Sequence, residues 1–221
     1  MLFKKDNSKL KFNHAIETAK QIADRNPNGL IPLVRLVSKS LQQYGMTSVI
    51  YTNTHESMKE YSFENLFFKD FQVISPDNKS SADLLVSKKV ENKIIRLETD
   101  PIIPVPWHKE RTLSAFTTIG SDVNNQWDYD PTNHYVTVYQ PFGLAIVNGG
   151  NHSITAGILN AEGSIPINET YSFEKIYDYV YFDGLNFIRK HDKKIISQPT
   201  FFESGLLFEL GRIMLEHNIN Y

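Results

Sequence analysis

One stretch constrains the fold more than any other: Leu144–Leu159, which reads LAIVNGGNHSITAGIL. Its first four residues form a short apolar run suited to a buried strand. Asn148, Gly149 and Gly150 follow as a tight turn. From Asn151 onward, Ile154, Ile158 and Leu159 recur at helical spacing. The order strand, glycine turn, helix calls for a sheet with a helix packed on it. That places the chain in the α/β (α+β) class, with a small mixed sheet and surrounding helices.

The same stretch carries chemistry. A helix start offers N–H groups without intrahelical partners and the positive end of the peptide dipoles. Glycines let a ligand's oxygens approach that backbone, which suits a phosphate or a carboxylate. Gly149, Gly150, Asn151 and Ser153 are therefore candidate ligand-binding residues. His152 adds a titratable group at the same place and is a candidate catalytic residue. No Lys follows the glycines and the G-x-G-x-x-G spacing is absent, so neither a P-loop nor a dinucleotide fingerprint is present. The local residues support equally an Asn-Gly turn before an ordinary capped helix.

The surroundings strengthen the location. Residues 100–163 hold both tryptophans, five of the ten prolines, six of the eleven glycines and three of the seven histidines. Prolines 101, 104 and 106 hold an extended approach. Arg111 then opens a predicted helix carrying Leu113, Phe116 and Ile119. An Arg fixed beside an anion-binding helix start would clamp phosphate bidentately. Between the two motifs, Asp128, Asp130, Asn133 and His134 supply the donor types of a Mg²⁺, Mn²⁺ or Zn²⁺ site. Asp128 and Asp130 are the candidate metal ligands and His134 a second candidate acid or base; Asx turns explain the same acids without a metal.

The flanks read as scaffold. Residues 1–75 are expected to form a helical N-terminal part, and residues 82–221 an α/β domain holding the site, the two being separable or one continuous domain. Asn13 is the expected cap of a first helix. Leu30, Leu33, Val34, Val37 and Leu41 form the stripe of a second, which Gly45 is expected to end. Arg35 beside that stripe snorkels or pairs with an acid. Residues 56–74 are rich in aromatics and acids with weak helical periodicity, as in a cap or docking surface. Ser75–Ser81 reads as a polar linker. Tyr177–Asp183 alternates like a strand, and Phe201–His217 carries an apolar helical face.

Composition excludes several classes. There is no cysteine, so disulfides, thiolate catalysis and Cys-ligated metals are ruled out. A net charge of −2 does not indicate a nucleic-acid binder. No apolar run reaches the roughly 18 residues of a membrane span. The N-terminal residues lack an apolar signal core, so a cytoplasmic location without membrane association is expected.

Residues 101–166 resemble the ParB/sulfiredoxin-like nucleotide-binding fold. The counterparts are Pro104–Arg111, Leu113–Gly120, Leu144–Val147, the turn Gly150–Ser153, Ile154–Ala161, and Gly163 to Pro166. The resemblance implies that Gly149, Gly150, Asn151, His152 and Ser153 line the phosphates of a nucleotide, with Mg²⁺ as its companion. Ser153 stands where that family has an Arg, and the missing cysteine removes sulfiredoxin chemistry. The longer pattern also looks like an uncharacterised bacterial family of unknown function. Three functions are carried forward. One is binding of a nucleotide or phosphorylated small molecule, with phosphoryl transfer or phosphoester hydrolysis as the natural reaction class. The others are a non-enzymatic module that docks a protein partner or a second copy, and a metal-dependent nuclease using His134 and His152.

Overall fold

The computed structural model describes residues 7–51 and 57–221. Two long helices come first, α1 (Ser8–Arg25) and α2 (Leu30–Tyr51). Three single-turn helices follow, α3 (Ser57–Glu60), α4 (Phe63–Leu66) and α5 (Ser81–Leu84). Then come β1 (Val86–Arg96), β2 (Ile102–Ile103) and α6 (Lys109–Thr118). The hairpin β3 (Tyr135–Gln140) and β4 (Leu144–Gly149) leads into α7 (Asn151–Leu159) and β5 (Ser164–Ser172). Three short strands, β6 (Val180–Phe182), β7 (Phe187–Arg189) and β8 (Ile195–Ser197), precede α8 (Phe202–Glu216).

The main sheet has the order β1-β5-β3-β4-β2. It is mixed: β1/β5 and β3/β4 are antiparallel, β3/β5 and β2/β4 parallel. Residues along its strands alternate between two apolar clusters, as the period of 2 requires. Leu144 and Ile146 face the larger cluster; Ala145 and Val147 face the smaller. The larger cluster takes in α1, α2 and α8. The smaller one takes in Trp127 and Ile154 of α7. The sheet is thus covered by helices on both faces. The second sheet, β6-β7-β8, is antiparallel throughout.

The two edges of the main sheet are protected differently. On the β2 edge, the buried Gln42 of α2 donates from Nε2 to the Ile102 carbonyl (2.8 Å). The β1 edge carries exposed Lys88, Lys89 and Lys93 and a register shift between Lys89 and Lys93. Charge and a bulge on an exposed edge discourage pairing with another chain.

Several local expectations are corrected by long-range packing. Helix α1 begins at Ser8, ahead of Asn13, with Asn7 before it making no side-chain cap. Gly45 does not end α2, which runs on to Tyr51. A Cβ there would lie 2.7 Å from the Pro104 carbonyl oxygen, so the glycine serves close approach. Ser75–Ser81 is no loose linker. Val73 and Ser80 form a β-bridge, and Ser80 and Asp83 form a capping box for α5. The largest apolar cluster draws on both sides of this turn, from Ala19 and Leu41 to Phe208 and Met214.

Of residues 56–74, Glu56 lies outside the described residues. Phe67 and Phe68 beyond it are fully buried, in tilted and edge-to-face contact with Phe173, Phe187 and Phe208. Phe67 and Phe68 therefore belong to the core, while Phe71 stays 83% exposed. Only Val180–Phe182 of the Tyr177–Asp183 run is strand, because Ile176–Asp178 forms a 3₁₀ turn. Arg35 does pair with an acid: its Nη2 lies 3.0 Å from Oδ1 of buried Asp100. The Tyr221 hydroxyl donates to the same oxygen (2.9 Å). Among the described residues, no helix is long and apolar enough to cross a membrane.

Candidate functional site

The turn between β4 and α7 forms as the residues require. Gly150 sits at the N-cap with φ of 77°, a left-handed conformation that favours glycine. A Cβ there would lie 2.3 Å from the His134 ring, so the space is closed as well. No side chain caps α7, which leaves its first N–H groups to be satisfied from outside the helix.

These N–H groups open on a cleft of about 470 Å³ between the start of α7 and the flank of α6. Arg111, Gly149, Gly150, Asn151, His152 and Ser153 all line it. Trp107, Ser114, Thr118, Asn133 and Asn148 contribute to its walls. None of its lining residues is acidic. Arg111 makes no ion pair among the described residues, and its guanidinium lies over the Trp107 ring, 5.3 Å from the centroid. The cleft is therefore electropositive by construction: a cation and a helix N-terminus with no carboxylate to offset them.

Asn151 is the best-fixed member. It is 5% exposed, and its Oδ1 accepts from the Val105 N–H (2.7 Å). This bond orients the carboxamide and ties α7 to the proline-held segment before α6. Nδ2 has no hydrogen-bond partner among the described residues, although the residue lines the cleft. Nδ2 is not among the buried unpaired polar atoms, so it is open to the cleft, where a ligand acceptor can take the place of water.

The two histidines do different work. His152 Nε2 accepts from the His108 N–H (3.2 Å). A ring that accepts at Nε2 carries its proton at Nδ1 when neutral. Burial pushes its imidazole below the ordinary value, and the charges of Arg111 and His108 push the same way. His152 is thus a neutral donor at the cleft wall. His108 also receives the Arg111 N–H at Nδ1 (3.4 Å), capping α6.

His134 does not line the cleft. It lies beneath it, 5% exposed and stacked on Trp127 at 4.8 Å. Its Nε2 is 2.8 Å from Ser153 Oγ, which resembles a serine–histidine pair. The opposite nitrogen excludes that reading. The Asp130 backbone N–H donates to Nδ1 (2.9 Å), so the neutral ring has its proton on Nε2 and donates to Ser153. Ser153 in turn donates to the Gly150 carbonyl (3.1 Å). In this tautomer His134 cannot take the serine's proton. The catalytic expectation for His134 gives way to a positioning role: the chain Asp130, His134, Ser153, Gly150 fixes the turn.

The acids of the 128–134 loop are also engaged. Asp130 Oδ1 accepts from the Thr132 N–H and hydroxyl (2.8 and 2.7 Å), which holds its carboxyl below the usual range. Asp128 Oδ1 accepts from the Tyr129 N–H (2.9 Å). Neither lines the cleft. Among the described residues, no group of three or more metal-ligating acids and histidines could hold an ion. Asp130 thus makes an Asx turn with Thr132, and Asp128 bonds the next N–H along the chain.

Sequence reasoning missed Trp107, Ser114, Thr118 and Asn148 as cleft residues. A helical projection of α6 would have placed Ser114 and Thr118 on the side of Arg111, three and seven residues further on.

No curated protein and no solved structure matches the chain. The ParB/sulfiredoxin-like resemblance therefore rests on the motif residues alone. A family model does match, over residues 1–221. The chain belongs to that family, a family of unknown function (DUF6710).

Proposed function

We propose that the α6–α7 cleft binds the phosphate of a small anionic ligand. One observation carries this reading. The uncapped start of α7, the unpaired Nδ2 of buried Asn151 and the unpaired Arg111 share a cleft with no acidic lining residue. Backbone N–H groups and Asn151 would hold the oxygens, as helix starts do for anions. Arg111 would neutralise the charge from the opposite wall. The ParB-like form of the reading places the phosphates of a nucleotide on Gly149–Ser153. Arg111 then supplies the charge that an Arg at position 153 supplies in that family. If the ligand turns over, in phosphoryl transfer or phosphoester hydrolysis, the His152 Nδ1–H would donate a hydrogen bond to a ligand oxygen as charge develops on it.

Thermal unfolding in phosphate and pyrophosphate, against sodium chloride of equal ionic strength, tests the reading. Ligand at tenfold its Kd stabilises by about 1.4 kcal/mol. That raises the Tm of a chain this size by about 3–6 °C. Arg111→Ala and Asn151→Ala should each reduce the shift. Equal shifts in phosphate and chloride would remove the proposal.

A further inference from the structure

We infer that the ligand of this cleft is a phosphorylated polyol of the aldose phosphate kind. The inference rests on the anion-binding reading above and specifies the body of the ligand. The cleft of about 470 Å³ has room for much more than a phosphate group. Its walls away from Arg111 and the α7 turn carry the polar side chains of Ser114, Thr118, Asn133 and Asn148, with Ala115 and Ile119 on the same flank of α6. The four polar side chains are neutral, with hydroxyl and carboxamide groups.

Their bonding shows what remains on offer. Asn148 Nδ2 donates to Thr137 Oγ1 (2.6 Å), which leaves its Oδ1 as an acceptor. Thr118 Oγ1 donates to the Ser114 carbonyl (2.8 Å) and keeps its acceptor lone pairs. The Ser114 hydroxyl and the Asn133 carboxamide have no hydrogen-bond partner among the described residues. Together they present several acceptors and donors and no charge. That inventory fits a body bearing neighbouring hydroxyls, each of which donates and accepts.

Two other bodies fit worse. An alkyl body would cover Ala115 and Ile119 but would strip water from the four polar groups and return no hydrogen bonds. A nucleobase needs an aromatic face, and the ring at hand is Trp107. Arg111 already lies over that ring, so a base stacked on the same face would displace the cation that holds the phosphate.

The test is calorimetric titration of the full chain with inorganic phosphate, ribose 5-phosphate, glucose 6-phosphate, hexyl phosphate and AMP. At least one of the two sugar phosphates is expected to bind about tenfold tighter than phosphate and than hexyl phosphate, or roughly 1.4 kcal/mol. Ser114→Ala with Asn133→Ala should bring that sugar phosphate down to the affinity of inorganic phosphate. Both positions are exposed, so folding should survive. Phosphate binding with no gain from either sugar overturns the inference and leaves the anion site standing. Tighter binding of hexyl phosphate or AMP than of either sugar phosphate also overturns it. Failure of every probe removes both.

Discussion

Replacing His134 by Ala should destabilise the protein by about 2–4 kcal/mol and flatten its response to acid. The figure follows from three losses. The stack on Trp127 at 4.8 Å is worth about 0.5–1.5 kcal/mol. The Asp130 N–H and the Ser153 hydroxyl each lose a half-buried hydrogen bond, at about 0.5–1.5 kcal/mol apiece. The acid response follows from burial, which lowers the pKa of both His134 and His152 from the ordinary 6.5. A histidine with a lowered folded pKa leaves stability fully present above 6.5. As pH falls, the unfolded chain takes up a proton that the folded chain refuses. Stability is then lost until the pH reaches the folded pKa. Each histidine contributes at most about 1.4 kcal/mol per pH unit in that window. Urea unfolding followed by tryptophan fluorescence, between about pH 7 and 5.5, reads both effects before most carboxylates titrate. The variant should be less stable at neutral pH and lose stability less steeply with acid. A loss under about 1 kcal/mol together with an unchanged acid slope would refute the positioning role.

Two further outcomes follow from the packing. Gly150→Ala should cost about 2–4 kcal/mol, because it forces a Cβ at φ 77° to within 2.3 Å of the His134 ring; chemical denaturation measures it. Exchanging Lys88, Lys89 and Lys93 of the β1 edge for Val should turn the protein toward self-association, seen by light scattering at unchanged secondary structure, whereas a monodisperse variant would show that these charges do not guard the edge.

The parts legible in the sequence are those fixed by local pattern. Leu144–Leu159 folds as strand, glycine turn and helix because apolar period and glycine content act over a few residues. Arg111 was legible as a cation at a helix start, and the cleft brings it to the α7 turn. The rest depends on contacts distant in the chain. Nothing near Asn151 shows that its Oδ1 is held by Val105, 46 residues away. Nothing near His134 shows that Asp130 offers it a backbone N–H and not a carboxylate, although that difference decides the tautomer. The aromatics of residues 63–68 lack helical period because they serve a core assembled with Phe173, Phe187 and Phe208. Gly45 looked like a helix end because the Pro104 carbonyl it makes room for lies in another segment.

The central claim is that the start of α7 is an anion site. Titration of isotope-labelled protein with inorganic phosphate, followed amide by amide in nitrogen–proton correlation spectra, tests it most directly. The amides of Asn151, His152 and Ser153 should shift saturably and together, with the Arg111 guanidinium following, and the response should vanish in Arg111→Ala. Amides at the α7 turn that stay still while phosphate is added, or saturable shifts confined to another surface, would contradict the account.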